Sequence, residues 1–208
     1  MTHSSPLQTT EAKILEAAER EFMLKGYDGA RTTAIAQAAG VTHAMLHYYF
    51  RTKDKLFEQI VSKKILMLRD LIMDTITMPD IPLFEKIERT IAVHLRFVSD
   101  NPQLPHFLLG EVFSHPERME FFISKIRLLA PMVVAELQRQ IDALAAEGLC
   151  RKVDARMLII DIVSLNVFPF TAARIINPIL GGIMEDTEAF LEARTKENID
   201  TIMRKLRP

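Results

Sequence analysis

His43 and His47 stand four residues apart in the run VTHAMLHYYF, a spacing that puts both imidazoles on one face of a helix. Such a pair can begin a metal site, but coordination needs third and fourth ligands, and residues 42–50 hold no Cys, Asp or Glu. Glu111 and His115 repeat the spacing, with His94 and His106 not far off in sequence, so a metal or polar-ligand site is conceivable there. The plainer reading is a pair of partly exposed side chains near a helix end. Cys150 lies beside Arg151 and Lys152, cations able to lower a thiol pKa, although a structural thiol is the simpler account. Asp161 and Asn166 interrupt an apolar stretch, either as a satisfied polar pair at a helix contact or as a ligand's hydrogen-bonding partners. The chain has no Ser or Cys nucleophile signature, no Gly-rich phosphate loop and no Glu-x-x-His pair. No catalytic residue, metal or cofactor is therefore expected. A helical small-molecule or metal-binding enzyme stands as the alternative reading.

The elements that would position these residues are helical throughout. The seven glycines are sparse, and Gly26, Gly40, Gly110, Gly148 and the pair Gly181, Gly182 stand where helices should stop. No stretch alternates apolar and polar residues long enough for a strand. Thr10 suits the cap of a first helix over residues 10–25, with Ile14, Leu15, Ala18 and Phe22 near one face. A short helix follows from Thr32 or Thr33 to Gly40, then another capped by Thr42. A long helix over residues 53–77 ends where Pro79 and Pro82 forbid continuation. Greasier helices are expected at about 83–99, 104–113, 116–147 (kinked at Pro131), 154–177 and 186–206.

Formal net charge is −1, but residues 31–64 carry six basic side chains against two acidic ones, while residues 65–208 are net negative. A nucleic-acid contact needs such a local positive footprint rather than a basic protein. One cysteine allows no intrachain disulfide, which suits a reducing, cytoplasmic setting. The first residues lack the pattern of a signal peptide. The longest apolar run, residues 157–170, is too short for a bilayer and contains Asp161, which would cost roughly 2.5–3.5 kcal/mol at a membrane centre. No membrane partner is expected.

In TTAIAQAAGVTHAMLHYYF, Ile35, Ala36, Val41, Leu46 and Phe50 can share one inner face, with Gly40 free to make a sharp turn. Thr42, His43, Met45, His47 and Tyr48 are then left outward. Exposed Met and Tyr on one short helix suit a DNA major groove, where Met45 could meet a thymine methyl. Thr33 and Thr42 could present helix starts to phosphate, with Lys53 beside them.

The stretch resembles the DNA-binding domain of the TetR family of bacterial transcriptional regulators. The matching residues are Ile14, Ala17, Ala18, Phe22, Gly26, Tyr27, Thr32, Thr33, Ile35, Ala36, Ala39, Gly40, Val41, Thr42, Leu46, Tyr48, Phe50, Lys53, Asp54 and Leu56. His43, Ala44, Met45 and His47 differ from the family's commoner Lys, Gly, Thr and Tyr. The resemblance implies an all-α protein: a three-helix helix-turn-helix domain over residues 1–55, a connecting helix over 53–77, and a larger helical ligand-binding and dimerisation domain over 56–208. It implies DNA contact by Thr32, Thr33, Thr42, His43, Ala44, Met45, His47, Tyr48, Tyr49 and Lys53. The expected partners are a pseudo-palindromic double-stranded DNA operator, a small apolar or amphipathic effector that releases a repressor, and a second copy of the chain. The homodimer is expected to use the last two long helices, since Phe190, Ala193, Ile199, Ile202, Met203 and Leu206 fall near one side of the final one. Abundant aromatic and aliphatic side chains could leave an effector pocket, assigned to Phe97, Phe107, Phe113, Phe122, Ile126, Asp161 and Phe168.

Overall fold

The first helix takes its cap one residue earlier than expected. The Thr9 hydroxyl accepts from the Ala12 amide at 3.2 Å, and α1 runs over Thr10–Gly29. At Gly26 the backbone turns to φ 69°, ψ 178°, so the expected stop is a kink after which one more turn forms. The computed structural model describes residues 9–127 and 130–208, and only the backbone of residues 112 and 113.

The remaining helices are α2 (Thr32–Ala38), α3 (His43–Tyr49), α4 (Lys53–Ile76), α5 (Leu83–Asp100), α6 (Leu104–Ser114), α7 (Pro116–Arg127), α8 (Ala130–Ala146), α9 (Ala155–Thr171), α10 (Ala173–Ile179) and α11 (Thr187–Leu206). No strand occurs among the described residues. The helix expected over 116–147 is described as α7 and α8 on either side of residues 128 and 129, which lie outside the described residues. Two expectations need correction. Gly110 lies inside α6 rather than at its end.

The second correction concerns residues 154–177, where α9 gives way to α10 with a 75° bend. Pro169, in the last turn of α9, has no N–H for the Leu165 carbonyl four residues back. An Arg194 guanidinium N–H from α11 donates to that carbonyl instead, at 3.1 Å. Among the described residues no single helix is long and apolar enough to cross a membrane; only the bent α9–α10 pair has the length and composition together.

Two compact units emerge. The first spans the chain to Ile65 together with Phe107–Phe122, and the second holds Leu66–His106 and Ile123–Pro208. In the first, Ile14, Ala18 and Phe22 of α1 meet Ile35 of α2, Leu46 of α3 and Leu56 of α4, all with no measurable exposure. Burial of large aliphatic and aromatic side chains at about 1.5–3 kcal/mol each is what holds three short helices together. In the second unit α5 packs on α9 and α11, and α9 on α8 and α11, around Ile91, Ile141, Leu158, Ile202 and Leu206. The apolar stripe of α11 is thus largely spent inside its own subunit. Phe190, Ile202, Met203 and Leu206 are all buried, which corrects their expected use as a dimer face.

Candidate nucleic-acid interface and effector chamber

The turn between α2 and α3 is closed by backbone bonds. Gly40 adopts φ +67°, its amide donates to the Gln37 carbonyl, and the Val41 amide donates to the Ala36 carbonyl at 3.0 Å. A side chain at positive φ costs roughly 1–2 kcal/mol, which is why glycine belongs there. Thr42 caps α3 by accepting from the Met45 amide at 3.2 Å, so its hydroxyl is already committed.

Leu46 and Phe50 then point inward, and every other residue over 42–49 is exposed, with Tyr48 at 79%. The outward groups are ordered among themselves. The His43 and His47 rings meet edge to face at 4.5 Å, and His43 Nε2 lies 3.0 Å from the Thr32 hydroxyl. His47 Nδ1 donates to the Arg51 carbonyl at 3.2 Å, since a carbonyl only accepts. Tyr48 and Tyr49 also meet edge to face, at 5.4 Å. Among the described residues no cluster of three or more His, Cys, Asp or Glu could hold a metal ion.

Lys53 is half-buried, with Nζ 4.5 Å from the centre of the Tyr27 ring and 3.4 Å from the Asp28 carbonyl. Tyr27 in turn donates its hydroxyl to Asp54, and burial together with that carboxylate holds the phenol well above its ordinary range. The Tyr27 amide donates to Glu111 Oε1 at 2.6 Å. Glu111, notable for its spacing to His115, is thus engaged by Tyr27 and by Arg118, while His115 lies near Asp28 and Glu117. Sequence spacing carries no sign of this network, because its members lie up to 91 positions apart. Beside it, Lys25, Arg31, Thr33 and Gln37 line a shallow cleft at the start of α2. Of these only Thr33 is expected from the sequence to meet DNA; the exposed cation Arg31 next to a helix start is the signal that could have added another.

The second unit holds a narrow apolar chamber of about 130 Å³ between α4, α5, α8 and α9. Its walls include Ile72, Ile76, Ile87, Leu137, Ile159 and Ile162, and its polar groups are Lys86, Thr90, His94 and Gln140. None of Phe97, Phe107, Phe122, Ile126, Asp161 or Phe168 lines it. Phe107 and Phe122 serve the core of the first unit, Ile126 and Phe168 are exposed, and Asp161 pairs with Lys205. Phe97 borders a wider depression of about 1500 Å³ along α5 and α11, whose charges are partly spent in the Arg96–Glu188 fork. The side chain of Phe113 lies outside the described residues. Apolar abundance in sequence marks core as readily as cavity, which is why those aromatics mislead.

Next to the chamber residue His94, Asn166 is fully buried and its amide donates to the Ile91 carbonyl and to His94 Nδ1, both at 3.0 Å. Its oxygen accepts from Asn198 at 2.8 Å. Of the two polar interruptions in α9, Asn166 is therefore a satisfied helix contact. Burial pulls the His94 imidazole down to about 4, so the ring is neutral near pH 7. Cys150 is also buried, which raises its thiol rather than lowering it, and its Sγ sits 3.3 Å from the Arg151 carbonyl. The neighbouring cations do not activate it.

Comparison with known proteins bears on both units. Residues 14–60 match the family model for bacterial regulatory proteins, tetR family, and residues 84–202 match that for the tetracyclin repressor-like C-terminal domain. The HTH-type transcriptional repressor SCO4008 of Streptomyces coelicolor is 30% identical over 127 residues, 57% of this chain and 62% of that protein. A probable HTH-type transcriptional regulator, YttP of Bacillus subtilis, is 40% identical over 55 residues, 26% of this chain and 27% of that one. The chain thus spans less than two thirds of either relative. Among solved structures, the transcriptional regulator FadR of Bacillus subtilis in complex with stearoyl-CoA superposes with TM-score 0.70 at 16% identity, covering 93% of this chain and 97% of that one. The TetR family regulator PfmR of Thermus thermophilus gives 0.69 at 22% identity, covering 97% and 100%. At such identities the likeness is one of fold.

Proposed function

Since this chain belongs to the TetR family of bacterial transcriptional regulators, we propose that it is a sequence-specific DNA-binding repressor released from its operator by a small effector. The observation that carries the reading is α3, a short helix with only Leu46 buried that turns His43, Met45, His47 and Tyr48 outward together. In the major groove Met45 offers an apolar contact to a thymine methyl, and the imidazoles offer hydrogen bonds to base edges or phosphate. Thr32, Thr33, Thr42, Ala44, Tyr49 and Lys53 complete the contact surface, joined by Arg31 from the neighbouring cleft. The protein would act in the cytoplasm, where the chromosome lies.

Dimerisation is the family's habit, and two reading helices about 34 Å apart would demand a pseudo-palindromic operator. The face we assign to it is the outer side of α9 and α10, where Ile160, Phe168, Ile175 and Ile179 are 54–73% exposed. Large exposed apolar side chains on two successive helices are what a subunit interface would cover. Helix α4, 24 residues and about 36 Å long, supplies side chains to the chamber and carries Lys53 at its start. An effector that displaces the chamber end of α4 would move the reading helices out of register and weaken DNA binding.

Selection from a randomised duplex pool with the purified full chain tests this. Enriched sequences should share a two-fold symmetric motif with half-sites about one helical turn apart. No enrichment, or enrichment without a shared motif, overturns the reading.

A further inference from the structure

Resting on the reading of the second unit as an effector domain, we propose that its chamber takes a small monocarboxylate, the carboxylate held by Lys86 and a second oxygen near the far end accepting from His94.

The four polar groups of the chamber are not equally free. Thr90 donates its hydroxyl to the Lys86 carbonyl at 2.8 Å, and Gln140 donates its amide to Glu136 at 2.7 Å while its oxygen accepts from Lys86. Lys86 itself is 7% exposed and makes that one long bond, 3.4 Å, to Gln140. Glu136 is within reach of its field, but Arg139 holds that carboxylate directly through two bonds of 2.9 and 2.6 Å. No carboxylate stands within ion-pair distance of Lys86 among the described residues. A buried ammonium with one neutral partner gains most from an anion that brings its own acceptor oxygens.

His94 offers the second point. The Ile91 carbonyl can only accept, so the Asn166 side chain must present nitrogen to it, and the other hydrogen of that nitrogen goes to His94 Nδ1. The Asn198 amide, donating to the Asn166 oxygen, agrees with that orientation. In the neutral ring Nδ1 is therefore the acceptor, and the proton sits on Nε2. That N–H has no protein acceptor among the described residues, and His94 lines the chamber. Lys86 and His94 stand eight residues apart on α5, about 12 Å along the helix. One carboxylate cannot reach both, so the two donors ask for two separate oxygen acceptors on one apolar body.

Size and sign narrow the class. A cavity of about 150 Å³ accepts a benzene-sized molecule, so about 130 Å³ suits a body of that order rather than a long acyl chain. An amine would meet Lys86 with like charge. A hydrocarbon would leave both donors dry and unpaired, which costs binding and costs more for the charged one.

The probes are straight-chain carboxylates of five to eight carbons, their analogues with a ketone next to the terminal methyl, and the matching primary alcohols. Calorimetry on the full chain should show carboxylates binding at least tenfold tighter than alcohols, and at least one keto acid tighter than its parent acid. Lys86→Met should abolish the preference for carboxylate over alcohol, and Lys86→Arg should keep it. Arg96→Met, on the wider depression, should change nothing. His94→Phe should level keto acid and parent acid. Because that variant disturbs Asn166, the wild-type ¹⁵N resonance of His94 Nε2 provides a second reading, moving with the keto acid and not with the parent. The proposal is overturned if no carboxylate binds below millimolar, if alcohols bind equally well, or if Lys86→Met keeps the preference. It is likewise overturned if the His94 resonance is indifferent to the ketone. DNA selection with the same preparation separates the two readings: a motif without carboxylate binding sinks this proposal alone.

Discussion

The Arg118 guanidinium carbon lies 3.6 Å from the centre of the Tyr27 ring, while the same guanidinium donates to Glu111 at 2.6 Å. Both charged side chains are nearly buried, at 10% and 16% exposure. This cation and Lys53 both lie over the Tyr27 ring, so the α6–α7 segment and the first residue of α4 hold one ring. Breaking a buried ion pair from one side leaves the other charge uncompensated, at about 3–5 kcal/mol. Arg118→Met should therefore lower the stability of the first unit by that order and weaken DNA binding without touching DNA. The double variant Arg118→Met, Glu111→Gln should recover part of the loss. Chemical denaturation of the three proteins checks this; equal losses in single and double variants would count against it.

Gly26 sits at φ +69°, and a Cβ there would lie 2.8 Å from Glu111 Oε1. Gly26→Ala should cost more than the roughly 1–2 kcal/mol of left-handed strain, because it also disturbs the carboxylate that holds the Tyr27 amide. A thermal midpoint within a degree of wild type would refute this.

On the reading face, Met45→Ala should change preference at one base pair by about 1–3 kcal/mol and leave others alone. Lys53→Ala should behave differently. It should weaken binding to every sequence and lower the salt slope by about one ion, with some loss of stability as Tyr27 loses one of its two cations. Competition assays across single-base operator variants at several salt concentrations distinguish the two patterns.

His94 carries a prediction about acid. Its folded pKa, about 4, lies below its ordinary value of 6.5 because burial disfavours the charged ring. The unfolded state therefore takes up the proton first as pH falls. Stability from this group is intact above pH 6.5 and is lost progressively down to about 4, by an amount on the order of 3 kcal/mol. His94→Gln should flatten the pH dependence of unfolding in that window; an unchanged profile would assign the acid sensitivity elsewhere.

The outer apolar face of α9 and α10 should hold the dimer. Phe168→Glu or Ile175→Glu should shift micromolar protein toward monomer in sedimentation while helicity is kept, and should lower operator affinity with it. Dimers persisting in both variants would place the interface elsewhere.

What sequence could decide was local. Glycine at Gly40, the Thr42 cap and the inward spacing of Ile35, Leu46 and Phe50 each act within a few residues, so the helix-turn-helix is legible in the order of residues alone. So are most helix limits, since prolines and caps work at short range. The break between α9 and α10 is not legible in full, because Pro169 in the last turn of α9 frees a carbonyl that Arg194 arrives from α11 to take. The same holds for the sites beyond the reading helix. Apolar periodicity says that a side chain is buried but not against what, so Phe107 reads the same as a pocket wall or as core of the first unit. Lys86 looks in sequence like any helix-surface lysine, yet tertiary packing leaves it 7% exposed. Burial makes His94 neutral, and Asn166 and Asn198, 72 and 104 positions away, set which of its nitrogens donates. Side-chain chemistry was written in the chain; which groups were desolvated together, and hence what they could bind, was decided by packing between distant segments.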